Sequence, residues 1–370
     1  MAINIQQQPT TPNCTYTNLI YQLTSSNATE PQFQYVMDVY VSGSSDRLAR
    51  IRQFPNALNQ AVFDPSRIMN DNLEYSTLVT PSVTYVVNNV TDTIKTFDVQ
   101  FGEEYGTSPS SSVTVYPNLS NDIIEVFPCQ IDPNNGTSFN FLDSGSAVIL
   151  SDRPDGVPEY VGAGYRLPFY NGTAGTLVAT SSYTGGGSPD HIMIEPGDIK
   201  SWGYTIVGTD GEDLTYTFNG QSITRTFKDA CNYPIYNFLF VNKYGMYENF
   251  STSKPVRGNV SVSRQNYKQP FVNYGGDPTY NVKRRGEQNF NTSITEDLTI
   301  ATDWLTQPAA EWITQLIESD EVYVAVSPNN VEFIPIVITN ASYVQNTGRK
   351  DQKVFNYDIT FRYANQRRGR

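Results

Sequence analysis

A chain of 370 residues can bury two or three separate cores, and with 17% charged side chains and a net charge of −12 it lacks the cationic surface that displaces counterions from nucleic acid. Asn, Ser, Thr and Tyr abound while charge falls below the usual quarter, a composition that reads as all-β. No stretch approaches the ~18 apolar residues of a membrane span, so no membrane partner is expected.

The first eight residues have neither the basic head nor the apolar centre of an export signal, and a soluble chain is expected. Cys14, Cys129 and Cys231 are odd in number, widely spaced and without a CxxC pattern, which predicts reduced thiols rather than a disulfide framework or a zinc site. Asn-x-Ser/Thr triplets at Asn13, Asn27, Asn89 and Asn249 follow from the composition, and glycosylation is not expected.

In chain order, Phe33, Tyr35, Met37, Val39 and Val41 alternate along a strand after a polar turn at Thr24-Ser25-Ser26-Asn27. Asp64 caps a short helical crossover, and the loop Gly106 to Ser112 marks the end of a first β-sandwich domain, residues 1–115. A second small β domain, residues 116–228, carries strands at Ile123–Phe127, Ala147–Leu150, Thr176–Ala179, Tyr204–Val207, Leu214–Phe218 and Ser222–Phe227. Turn clusters at Asp132-Pro133-Asn134-Asn135-Gly136 and Asp152 to Gly156 separate them, and Thr184 to Pro189 forms an open loop. Tyr160, Tyr165, Phe169 and Tyr170 are its candidate recognition surface, because exposed aromatics give binding faces rigid contact area. The third domain, residues 229–370, opens with the apolar strand Tyr236–Val241 and a hairpin turn at Lys243-Tyr244-Gly245.

Its organising element is an amphipathic helix over 303–318. Leu305, Ala309, Trp312, Ile313, Leu316 and Ile317 recur at three- and four-residue steps, and Trp304, Leu305, Trp312, Ile313, Leu316 and Ile317 are read as its anchors on a sheet. Thr302 or Thr306 caps its start and Pro308 suits its first turn. From Phe355 to Tyr363 every odd position is apolar, a half-buried strand. The fold class is therefore all-β: two sandwich-like domains, then a β domain carrying one helix. The basic tail Arg367-Arg368-Gly369-Arg370 reads as a solvated terminus.

No catalytic constellation emerges. Asp143-Ser144-Gly145 has the look of a serine nucleophile, but the lone His191 follows in the wrong order and Leu142 stands where an oxyanion-loop glycine belongs. Asp210-Gly211-Glu212-Asp213 lacks the spacing of a calcium loop, and the adjacent Glu103 and Glu104 point to opposite faces of a strand. No phosphate-binding glycine loop is present, and no cofactor is expected.

The runs Gln32 to Val41, Phe63 to Ile68 and Phe238 to Gly245, together with Asp303-Trp304-Leu305 and Phe355 to Asn365, resemble tail structural proteins of tailed bacteriophages, including those of Bacteroidetes and marine phages. The C-terminal order of strands, helix and strands is similar to tail-tube and distal-tail units. That resemblance implies a virion protein assembled in the host cytoplasm, with no enzymatic activity. Its partners would be copies of itself in a ring, collar or hub, and other tail proteins. The rivals are a receptor-binding tail module recognising host-surface glycan and a capsid decoration protein.

Overall fold

The computed structural model describes residues 3–75, 86–89, 93–129, 147–184, 190–205, 209–230, 232–268, 272–273, 279–280, 286–326, 329–339 and 354–365. The expected features at residues 132–136, 142–146, 185–189 and 367–370, together with Cys231, lie outside them.

The chain is all-β, as its composition implies. The N-terminal strands are β1 (Ile3–Gln7), β2 (Asn13–Cys14), β3 (Tyr21–Ser25), β4 (Gln34–Val41), β5 (Arg47–Gln53) and β6 (Gln60–Phe63). After helix α1 (Ser66–Asn70) come β7 (Val86–Asn89), β8 (Lys95–Tyr105) and β9 (Thr114–Phe127). A β1-β3-β6 sheet faces a β2-β9-β8-β4-β5 sheet, and Tyr21, Tyr35, Met37, Val39, Phe97 and Phe101 interdigitate between them. Asp64 accepts from the Ser66 N–H ahead of α1 and from the Leu19 N–H, so it ties the crossover to the sandwich. The expected junction at residue 115 falls inside β9, which pairs with β8 on both sides of that point.

Cys14 and Cys129 form a disulfide, which corrects the expectation of reduced thiols. Register explains it: β2 pairs in parallel with the end of β9, Cys14 opposite Phe127, so residues 115 apart in sequence come side by side. Spacing along the chain carries no trace of that pairing. Closing so long a loop restricts the unfolded chain strongly, and the Cys14→Ser/Cys129→Ser protein is expected to lose about 2–5 kcal/mol. Denaturant unfolding with and without reductant measures it, and equal midpoints would show that the bridge does not constrain folding.

The middle unit is also a sandwich. Its strands are β10 (Ala147–Ile149), β11 (Glu159–Tyr160), β12 (Gly164–Asn171), β13 (Leu177–Tyr183), β14 (His191–Ile194), β15 (Ile199–Thr205), β16 (Asp213–Phe218) and β17 (Gln221–Lys228). One sheet runs β10-β12-β15-β7, so a strand from the first hundred residues completes it, and the other runs β11-β17-β16-β13-β14. Leu167, Phe169, Trp202, Tyr216 and Phe218 fill the space between.

The C-terminal unit comprises β18 (Tyr236–Val241), β19 (Tyr247–Thr252), β20 (Val256–Lys268), the two-residue β21 (Val272–Asn273) and β22 (Thr279–Tyr280), β23 (Glu287–Ala301) and β24 (Leu305–Thr306). Helix α2 (Gln307–Glu318) follows, then β25 (Val322–Val326), β26 (Asn329–Ile338), β27 (Val354–Phe355) and β28 (Asp358–Tyr363). Seven strands order as β19-β18-β25-β26-β28-β23-β20. Across one face lie α2 and the small β24–β27 ladder, burying Phe238, Phe240, Phe250, Trp312, Ile359 and Phe361. The β18–β19 turn needs its glycine. Gly245 adopts φ +75°, and a Cβ there would stand 2.2 Å from the Pro128 carbonyl oxygen, where the turn docks on the end of the N-terminal sandwich.

Helix α2 starts later than residue 303. Leu305 and Thr306 pair with Phe355 and Val354, which commits their backbone to a ladder, and Pro308 then occupies the first turn, where a missing N–H costs nothing. Thr306 is the N-cap residue, although its hydroxyl makes no capping bond. Leu305, Trp312, Ile313 and Leu316 are buried in the core and Ile317 packs at its margin. Trp304, expected among the anchors, is 72% exposed.

Candidate functional site

Strands β20 and β23 pair along their whole length, from Val256 opposite Ile300 to Lys268 opposite Glu287. β28 accompanies β23 only from Leu298 to Ala301. Beyond that point the two strands leave the sheet as a ribbon, roughly 35 Å long at about 3.3 Å per residue. Register sorts its two faces. Val260, Val262 and Arg264 share one face with Thr292, Ile294, Glu296 and Leu298, while Asn259, Ser261, Ser263 and Gln265 share the other with Asn291, Ser293, Thr295 and Asp297. Val260 and Val262 are exposed, and at the far end Phe290 packs edge-on against Tyr267 at 6.3 Å with its ring largely in solvent.

The opposite edge of the same sheet is closed. All six residues of β19 are buried, with β11 and β12 of the middle unit lying against them. Among the described residues, β20 is therefore the open edge of the seven-stranded sheet. Its charges leave one stretch bare. The open edge strand β5 of the N-terminal sandwich carries Arg47, Arg50 and Arg52, of which Arg50 is held on Asp38 at 2.7 Å and Arg52 on Glu104 at 3.0 Å. β20 carries Arg257, Arg264 and Lys268, but between the two arginines Gly258-Asn259-Val260-Ser261-Val262-Ser263 runs without a charge, the condition under which a strand edge accepts another strand. In sequence the segment 256–301 holds six basic and four acidic residues in a chain of net charge −12, so it complements the rest of the molecule.

At the closed edge, where β19 meets the middle unit, lies a buried charged seam. Arg153 pairs with Glu159, and Arg225 lies 3.7 Å from Glu159 and 3.8 Å from Glu248, all with side chains no more than 1% exposed. Arg153 also donates to the carbonyls of Asn249 at 2.9 Å and Val157 at 3.1 Å. Glu248 accepts from Ser151, Asn242 and the Trp312 indole N–H, while Glu159 accepts from Ser251. Burial pushes the Glu248 carboxyl upward, and Arg225 and the Ser151 hydroxyl pull against that. Two carboxylates and two guanidiniums invite a catalytic reading, but groups this enclosed offer a substrate no approach. They join β17, β19, α2 and residues 151–159 in one fixed geometry, a role in which register matters more than net stabilisation.

The expected recognition surface does not form. Phe169 lies in the middle sandwich core, and Tyr170 sits with Cys14, Phe127, Cys129 and Met246 where the three units meet. Tyr160 is buried with Ala163 and Ile235. Of Tyr165 only the backbone is described, in β12 opposite Tyr204. Phe169 and Tyr170 lie in β12, a central strand, where alternation sends them into two different cores.

The Tyr160 hydroxyl reaches Asp303 at 2.6 Å, beside Lys254 at 2.5 Å and Lys228 at 3.7 Å. Burial works to raise the pKa of Asp303, but the hydrogen bonds from Lys254 and Tyr160 and the charge of Lys228 outweigh it and hold the carboxyl below its usual range. A depressed folded pKa contributes stability above the unfolded value, near 4, and loses it as pH falls through the folded one. Asp303→Asn is thus expected to cost less than about 1 kcal/mol at neutral pH, since the pairs are partly solvated. The difference should vanish in acid, and a constant difference from pH 7 to pH 2 would refute the ionic origin.

A cleft of about 170 Å³ lies among Tyr16, Tyr75, Lys243, Gln315 and Asp320. Its polar groups mostly serve one another: Tyr16 bonds to Tyr75 and Asp320 at 2.8 Å, and Lys243 and Gln315 both hold Asp152. It is a joint between units. Among the described residues no group of three or more His, Cys, Asp or Glu could hold a metal, and no helix is long and apolar enough to cross a membrane.

No protein-family model matches the chain, and no curated protein does. Among solved structures, 61% of the chain is similar to 30% of a biofilm-associated protein BSP-domain chain, at 12% identity and a TM-score of 0.16. A further 62% match spans all of a protein of unknown function from Porphyromonas gingivalis (13% identity, TM-score 0.14), and an 81% match spans 95% of a tandem from titin (8% identity, TM-score 0.16). The chain thus spans about a third of the first of these, and at such TM-scores none bears on its fold or role.

Proposed function

We propose that the chain is a structural subunit of a tailed-phage virion, assembling with copies of itself into a ring, collar or hub component of the tail. The observation that carries the reading is the open edge of β20, uncharged from Gly258 to Ser263, on a projecting ribbon. A two-stranded ribbon with an exposed apolar face is marginal alone and gains from a neighbouring chain. A closed ring would pair each ribbon with the next subunit and leave no edge unpaired. One further feature fits: a disulfide suits a particle that persists outside the reducing cytoplasm.

The rival reading as a host-glycan-binding module loses Tyr160, Phe169 and Tyr170 of its middle-unit aromatics, because these three are buried. The test is the mass of the purified chain in solution at micromolar concentration, by light scattering. A discrete species of several subunits supports the proposal. A monomer that stays monomeric at high concentration, and that does not join isolated tail particles, overturns it.

A further inference from the structure

The ribbon has a second open edge. β28 pairs with β23 only from Leu298 to Ala301, so from Glu287 to Asp297 the outer side of β23 has no partner strand among the described residues. The two edges differ in charge. β20 holds Arg257, Arg264 and Lys268 and no acid, whereas β23 holds Glu287, Glu296 and Asp297 and no base. Within the ribbon these charges largely miss one another. Register puts Lys268 opposite Glu287, but Arg257 opposite Thr299, Arg264 opposite Thr292, Glu296 opposite Val260 and Asp297 opposite Asn259. Between its charges each strand has a neutral run, Gly258 to Ser263 on β20 and Gln288 to Thr295 on β23.

We infer that the partner of β20 is the β23 edge of a second copy, laid antiparallel, so that copies join head to tail through their ribbons. The inference rests on the ribbon being the subunit contact, and it names the edges that meet. Charge decides between the pairings open to two copies. β20 on β20 would line one seam with cations from both strands, and β23 on β23 would line it with carboxylates, arrangements that repel. β20 on β23 sets opposite charges at the two ends of a neutral middle. The Arg257 end then meets the partner's Glu296 and the partner's Asp297, and the Lys268 end meets the partner's Glu287. The faces agree as well. A register that keeps the pleat in phase lays Val260 and Val262 on the side of the partner's Ile294, and Ser261 and Ser263 on the side of the partner's Ser293 and the partner's Thr295. Each copy offers one edge of each kind, so the contacts propagate until they close on themselves. Pairing of like edges would stop at two copies and leave the other edge bare.

Oxidative cross-linking of full-length single-cysteine variants tests this. A Cys231→Ser background leaves the introduced thiol as the only one outside the Cys14–Cys129 disulfide. Ser261→Cys marks β20, while Asn291→Cys, Ser293→Cys and Thr295→Cys mark β23 at two-residue steps on the same face, which spans the neighbouring registers. Opposed residues of antiparallel strands stand about 4.5–5.5 Å apart at Cα, within reach of a disulfide. The expected result is a covalent dimer when Ser261→Cys is co-expressed with at least one β23 variant, and none when any variant is made alone. Reversing one edge, by Arg257→Glu with Arg264→Glu, should raise the concentration for half assembly about tenfold or more. Adding Glu296→Lys and Asp297→Lys to the same chain should restore it. Self-linking of Ser261→Cys, or no mixed dimer from a protein that light scattering shows to be oligomeric, overturns the inference and leaves self-assembly standing. A chain that stays monomeric overturns both.

Discussion

If the proposed ring is held by the ribbon, replacing Val260 and Val262 together by lysine is expected to leave a folded monomer of 41.4 kDa. Both side chains are exposed in the single chain, at 57% and 41%, and nothing in the core of the C-terminal unit rests on them. Surface changes of this kind usually shift stability by no more than about 0.5 kcal/mol, so the thermal midpoint should hold. Assembly is a different matter. A strand laid along β20 would bring its neighbours over this face, and of two ammonium groups buried there only the one at position 260 would meet a carboxylate, Glu296, so their burial costs several kcal/mol, enough to dissolve a micromolar contact. Lysine on an edge strand is also the common natural guard against pairing. Leu48→Lys on β5, an edge already fenced by arginines, is the control and should leave the mass unchanged. Light scattering on the three proteins decides it. An unchanged oligomer in the double variant would move the subunit contact away from the ribbon.

What the sequence could and could not foretell follows from how local each signal is. The spacing of Trp312, Ile313 and Leu316 depends only on the 3.6-residue turn, and all three are buried where the period puts them. The odd positions from Phe355 to Phe361 behave likewise, with Phe355, Tyr357, Ile359 and Phe361 all buried. Trp304 fits the same helical period, but a ladder with β27 claims the two residues after it, and pairing with a strand fifty residues away is invisible locally. The disulfide is hidden for the same reason. Tyr160, Phe169 and Tyr170 show the converse error: neighbouring turns suggest exposure, while the depth of a strand depends on what packs over it. The ribbon is the most instructive case. Val260 and Val262 alternate with serines as in any half-buried strand, and nothing in that pattern says whether the apolar face is covered by this chain or by another.

Trp312→Ala is expected to cost about 3–5 kcal/mol, the range for deleting a large buried aromatic. Its ring meets Phe240 and Phe250 edge-on at 5.7 and 6.1 Å, and the Arg153 guanidinium lies 4.9 Å from its centroid. Truncation therefore opens the core beneath α2 and strips a cation of its aromatic partner. It also removes the indole donor from Glu248, a carboxylate with no water to turn to, which alone is worth about 1–3 kcal/mol. The two losses share neighbours and will not simply add. Trp312→Phe separates them, since it keeps most of the packing and loses the donor, and it should fall about 1–3 kcal/mol below the parent. Because Glu248 faces Arg225 of the middle unit, the alanine variant should loosen the seam as well as the helix. Protection from proteolysis should then drop in residues 151–159 before it drops in the N-terminal sandwich. Trp312 shares its core with Ile300 at the foot of β23, so a loosened core loosens the ribbon too, and assembly should fail in the alanine variant and survive in the phenylalanine one. Denaturant unfolding by circular dichroism, with the solution mass of each variant, checks both claims. A loss below about 1 kcal/mol for the alanine variant would mean that α2 is held to the sheet by something other than this side chain.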